Sequence, residues 1–298
     1  MRRFTLRPLV NRILFGLALT AVLFFFLFPL YWMVVTSFKE RADTTLLPAT
    51  FVPFVQFRPT LINYLAVFTK ISELGNASIG EANLGLSKFP EALFNSILIG
   101  GTATVVAVIL GTLAAYAFSR FRIKGENDLL FFILSTRMLP PIVVVIPIFL
   151  MFNSLKLRNT FTGITLLYIT VGLPFVVWMM KGFFDEIPRE YEEAAMVDGY
   201  SRLEAVWKIV LPEALPAMLA TAVFVLITAW NEFVFVQLLN PEQFSTVPPF
   251  LYAIIGYGQV EWGRMAATSV VFLLPIIIFT FMARNHLLRG MTFGAVRR

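Results

Sequence analysis

The sequence contains no cysteine and a single histidine, His286. The first absence excludes disulfides, iron–sulfur clusters and thiolate metal sites, and the second argues against a histidine-based metal or acid–base centre. No cofactor or metal site is expected. Charge is scarce as well: Asp, Glu, Lys and Arg make up 14% of the 298 residues, where soluble domains carry about 25%. The net charge of +6 comes without any basic run, so nothing marks a nucleic-acid surface. Basic loops between apolar stretches explain it better. The phosphate-cradling pattern G-x-x-x-x-G-K-[ST] does not occur, so the chain is not expected to hydrolyse ATP or to be an enzyme.

Apolar surface is what the chain has in excess. Hydrophobic residues reach 58%, and Phe alone contributes 32. A soluble globule of this size could not hide that much from water. A bilayer can. Six stretches meet the requirement of about 20 mostly apolar residues for a spanning helix: 13–38, 92–119, 129–155, 159–180, 214–240 and 265–283. Arg137 and Glu232 are the only charges inside them. The pattern predicts an all-α polytopic membrane protein built as one six-helix transmembrane domain.

An even number of spans places both termini on one side. With that side cytoplasmic, the inner segments carry 15 Lys and Arg residues and the outer segments 8, which favours cytoplasmic termini. The first stretch exceeds the 7–15 apolar residues of a signal core and no A-x-A site follows, so it is expected to remain as a helix, anchored by Tyr31 and Trp32. Two connections are long. The outer one, 39–91, contains Pro48, Pro53 and Pro59 and is expected to fold against the membrane surface; its Asn76-Ala77-Ser78 triplet is of a kind common by chance. The inner one covers 181–213.

That inner loop reads as helix, glycine, helix. Pro188 suits a first helical position, and Glu190, Glu192 and Glu193 follow near the positive end of the helix dipole. Gly199 ends the helix in a left-handed conformation. Ser201 and Glu204 form an S-x-x-E capping box for a second helix. Leu203, Val206, Trp207 and Val210 then recur as a one-sided apolar stripe, and Pro212 leads into the fifth span. Ala194 and Ala195 are small where a membrane-lying helix needs bulk, and the acidic face would be repelled by anionic lipid. Docking into a groove on another protein fits better.

The pattern Glu193-Ala194-Ala195, three residues, Gly199, nine residues, Ile209-x-Leu211-Pro212 resembles the cytoplasmic EAA loop of permease subunits in binding-protein-dependent ABC importers. The carbohydrate branch, the maltose-type inner-membrane permeases, is also similar at Leu27-Phe28-Pro29, at Ala114-Ala115-Tyr116-Ala117-Phe118-Ser119-Arg120, at Trp230-Asn231-Glu232-Phe233 and at Arg289-Gly290-Met291-Thr292-Phe293-Gly294-Ala295-Val296. The resemblance implies an inner-membrane protein of a prokaryote that pairs with a second permease subunit as a heterodimer and works with two cytoplasmic ATPase subunits and an extracytoplasmic solute-binding protein. It further implies that Glu193, Ala194, Ala195, Asp198, Gly199, Ile209, Leu211 and Pro212 couple the spans to the ATPase, and that the solute is a carbohydrate or a relative of one.

Charges inside spans point to function by default, so Asn231, Glu232 and Arg137 are candidates for the solute path. In straight helices the rise places Arg137 and Glu232 at depths too different for pairing, unless a break at Pro140-Pro141 shifts the register. Each also has a structural reading, Arg137 as a contact to carbonyls freed at Pro140-Pro141 and Glu232 as a rim residue. Tyr252, Tyr257 and Gln259 lie in the last outer loop, which in the resembling family faces the binding protein; interfacial anchoring is the plainer alternative. Gly111 and Ala115 predict a close helix contact. The competing class is an ion-coupled secondary transporter, for which one carboxylate is too few.

Overall fold

The computed structural model describes residues 7–69, 87–255 and 260–292. Its elements run α1 (Arg7–Ser37), α2 (Arg41–Thr44), α3 (Ile62–Phe68), α4 (Phe89–Arg120), α5 (Glu126–Ser135), α6 (Pro141–Ser154), α7 (Phe161–Glu186), α8 (Glu190–Val197), α9 (Arg202–Ala205), α10 (Leu211–Trp230), α11 (Val234–Leu239), α12 (Val247–Ile255) and α13 (Trp262–Thr292). Among the described residues the only β pairing is an isolated bridge between Pro53 and Phe57. Among the described residues five helices are long and apolar enough to cross a membrane, and a sixth crossing is available if α5 and α6 are taken together. The chain divides into two units, Met1–Ser87 with Ala253–Leu273, and Lys88–Tyr252 with Leu274–Arg298.

In the first unit α1 exposes Phe15, Phe24, Phe25 and Leu17 alike, as a helix solvated by apolar surroundings does. The segment after it folds around Lys39, whose side chain is only 1% exposed. Its ammonium donates to the Thr50 carbonyl at 2.5 Å. The same group lies 4.1 Å from the centre of the Trp32 ring and 5.4 Å from that of Phe57. Burial lowers the Lys39 pKa, with Asp43 opposing. Asn63 donates to the carbonyls of Ser37 and Lys39, at 3.0 and 2.6 Å, and Tyr31 to that of Phe51 at 2.7 Å.

In the second unit α4 and α7 form the closest pair. Ala103, Ala107, Gly111 and Ala115 recur every fourth residue along α4, all buried. A Cβ on Gly111 would stand 2.5 Å from Val176 Cγ1 on α7, so the two backbones approach as the small-residue spacing predicts. One core cluster joins the C-terminal half of α4 to α7 and α10 through Tyr116, Val176, Met180, Phe184 and Val210. A second joins the earlier part of α4 to α6, α7 and α11 through Ile99, Val145, Ile164, Tyr168 and Val236.

Two of the six expected stretches differ from single helices. Within 129–155 a 3₁₀ turn at Thr136–Met138 follows α5, and the chain turns by 96° into α6. Pro140 and Pro141 cause it: neither has an N–H for the helix, and each holds the residue before it in an extended conformation, Leu139 at ψ 120° and Pro140 at ψ 134°. The stretch expected at 214–240 begins earlier and ends sooner. Helix runs from Arg202 through a π-turn at Val206–Val210 into α10, stops at Trp230, and resumes as α11. Pro212 cannot donate to the carbonyl four residues back, and the wider π-turn lies where that bond would be missing.

Candidate coupling site

The inner loop folds largely as its residues dictate. Gly199 has φ +92°, the left-handed conformation expected of it. The Ser201 hydroxyl accepts from the Glu204 N–H at 3.3 Å while Glu204 accepts from the Ser201 N–H at 2.9 Å, closing the capping box. The apolar stripe divides, however. Val206 and Val210 are buried against the helix bundle, whereas Leu203 and Trp207 remain exposed: each pair is spaced i, i+4, and the two pairs lie on neighbouring faces of which one meets the core.

The residues expected to couple to an ATPase fall into two groups. Glu193, Ala194, Asp198 and Gly199 are exposed on and just after α8, while Ala195 is buried. Ile209 and Leu211 are half-buried in the π-turn and the first turn of α10, and Pro212 beside them is exposed.

Sequence reasoning missed what holds α8 in place. Glu192 was grouped with the exposed acids, yet it is buried beside Ala195, one helical turn away on the same face. One of its oxygens accepts from the Tyr116 hydroxyl at 2.7 Å, and the other pairs with Arg120 Nε. Arg120 also donates from Nη1 to the Phe184 carbonyl at 2.8 Å and from Nη2 to the Ile187 carbonyl at 2.9 Å. It thereby caps the C-terminal end of α7, where a cation suits the helix dipole. Arg189 Nη2 donates to the Ser119 carbonyl at 2.7 Å, and the Ser119 hydroxyl to Asp185 at 2.6 Å. The signal available in the sequence was the i, i+4 spacing of Tyr116 and Arg120, which sets both on one face of α4.

The other candidates stand apart from this cluster. Arg137 and Glu232 make separate contacts, although neither lies in the straight helix that the depth argument assumed. The Arg137 guanidinium lies 5.3 Å from the centre of the Phe175 ring. Glu232 accepts from the N–H groups of Phe235 at 2.9 Å and Val236 at 3.3 Å, and from the Tyr168 hydroxyl at 3.2 Å. It caps α11 at the break that ends α10. Asn231 is exposed at that break and donates to the Ile227 carbonyl at 2.8 Å. Tyr252 is exposed, its ring 5.4 Å from that of Phe233, while Tyr257 and Gln259 lie outside the described residues. Glu232→Ala is expected to cost about 1–2 kcal/mol through the lost cap. Thermal melting of the purified protein reads this, and an unchanged midpoint would show that the cap contributes nothing.

Residues 107–292 match the family described as binding-protein-dependent transport system inner membrane component. The chain belongs to this family. It is a multi-pass component of the inner membrane, in a family of transport permeases rather than enzymes. The trehalose/maltose transport system permease protein MalG of Thermococcus litoralis is 34% identical over 273 residues, covering 91% of each chain. The inner membrane ABC transporter permease protein YcjP of Escherichia coli is 32% identical, with 97% of each covered. Among solved structures, a chain of a bacterial ABC transporter involved in the import of the acidic polysaccharide alginate superimposes with a TM-score of 0.73 at 22% identity, covering 96% of this chain and 99% of that one, which establishes the shared fold.

Proposed function

We propose that this inner-membrane component is one permease subunit of an ATP-driven importer, forming part of the path for a carbohydrate or related solute. It pairs with a second permease subunit, receives solute from the binding protein, and engages a cytoplasmic ATPase through α8 and the turn after it. The observation that carries this reading is the arrangement of α8. Its exposed face offers Glu193, Ala194, Val197 and Asp198, while Glu192 and Ala195 hold the opposite face to the bundle. A short helix fixed on one side and bare on the other suits a groove in a partner. The trehalose/maltose permease at 34% identity supports a sugar as the solute class.

In this reading both termini, the loop after α4, and α8–α9 face the cytoplasm, and the segment after α1 faces outward. The absence of native cysteine makes this directly measurable. Leu47 and Val197 are 92% and 87% exposed. Leu47→Cys is expected to react with an impermeant maleimide from outside intact spheroplasts, and Val197→Cys only after the cytoplasmic face is opened. The reverse pattern would overturn the orientation. Purification in mild detergent should retain an ATPase subunit, and transport by this chain alone in liposomes would refute the importer reading.

A further inference from the structure

We propose that the Arg120–Glu192 ion pair, with Tyr116 on the second carboxylate oxygen, is a strut that makes α8 move with the α4–α7 pair and bend against α10 at Gly199. The inference rests on the importer reading above and assigns positioning residues to it. Three observations carry it.

The first is the pattern of ties. Glu192 is the buried member of the three acids in the first turn of α8, and both its oxygens are held by α4 residues one turn apart. Arg120 also grips the final carbonyls of α7 and the linker to α8, and Arg189 returns from that linker to the end of α4. Charge-assisted bonds of this kind fix direction as well as distance. The second is what is missing on the other side. Among the described residues no side-chain hydrogen bond or ion pair joins α8 to α9 or α10. The π-turn enters the core through Val206 and Val210, and apolar contact is non-directional. The third is the joint itself. Gly199 sits at φ +92° with no atom within 4 Å of the position of a Cβ, so no side chain packs on the glycine itself; the centre of the neighbouring Tyr200 ring lies 4.5 Å from the Lys208 ammonium.

Glu192 faces inward and so lies outside the docking face. Its replacement tests transmission apart from docking. Glu192→Gln keeps the shape and one acceptor while removing the charge that Arg120 pairs with. The variant complex, with its ATPase and binding protein in vesicles, is expected to retain the ATPase and to hydrolyse ATP without binding protein within twofold of the unmodified complex. Stimulation by loaded binding protein, and solute uptake with it, should fall at least tenfold. A second variant, Arg120→Cys with Glu192→Cys in this cysteine-free chain, should show the same loss. A short reducible bis-thiosulfonate bridging the two thiols should then restore stimulation several-fold, and reduction should abolish it again. A purely structural pair would not respond to the bridge. Full stimulation in Glu192→Gln would overturn the strut, as would joint loss of ATPase retention and stimulation that the bridge does not restore. If the unmodified complex itself retained no ATPase, the importer reading would fail first and the strut with it.

Discussion

Gly199→Val is expected to lower solute uptake and binding-protein-stimulated hydrolysis about five- to thirty-fold while the chain still inserts and pairs with its partner permease. The effect has one source. At φ +92° no atom lies within 4 Å of where a Cβ would be, so the new side chain meets no steric obstacle outside its own backbone. The backbone conformation alone costs about 1–2 kcal/mol for an L-residue, and more for a β-branched one. A penalty of that size shifts a two-state population by a factor of about 5–30. Gly199→Asn should lose less, because Asn enters the left-handed region more readily. The pair of variants therefore separates backbone strain from bulk. Normal uptake and normal stimulated hydrolysis in the Val variant would remove Gly199 from the coupling pathway.

Gly111→Val should do the opposite kind of damage, weakening the fold rather than its motion. A Cβ there would lie 2.5 Å from Val176 Cγ1 and 2.6 Å from Val176 Cβ, and Val176 is fully buried with little room to retreat. α4 and α7 must separate to admit it. Overpacking of this sort costs about 1–3 kcal/mol, and the two further methyl groups of Val place the cost at the upper end. The measurement is the melting midpoint in detergent, with Gly101→Ala as the comparison. Gly101 lies on the same helix with nothing within 4 Å of its Cβ position, so that change should be neutral or slightly stabilising. Equal midpoints for the two variants would show that the α4–α7 approach is looser than its geometry.

Local chemistry was legible in the sequence wherever one residue type has one cheap role. Gly199 at positive φ, the Ser201–Glu204 capping box and the small-residue contact at Gly111 all follow from such rules. Pairings between distant segments were not. Nothing local distinguishes Glu192 from Glu190 and Glu193, because its burial depends on Tyr116 and Arg120 meeting it from another helix. The stripe from Leu203 to Val210 failed for a different reason. Its residues form two i, i+4 pairs on neighbouring faces, and spacing alone does not show that only the face of Val206 and Val210 meets the bundle. Hydropathy likewise merged Pro141–Ser154 with the helix before it and α11 with α10, since an average over about 20 residues absorbs one charge such as Arg137 or Glu232, although each of these marks a break.

The span of sequence between Arg120 and Glu192 sets an order on biosynthesis. The two are 72 residues apart. At about 5–20 residues per second, roughly 4–14 s of synthesis separate their exits from the ribosome. For most of that interval the guanidinium at the end of α4 has neither its carboxylate nor the Phe184 and Ile187 carbonyls, which follow it by 64 and 67 residues. Solvent must satisfy it until they arrive. A nascent chain arrested before Glu192 can therefore already pack α4 on α7, but the tie from α4 to α8 closes only when Glu192 has been translated.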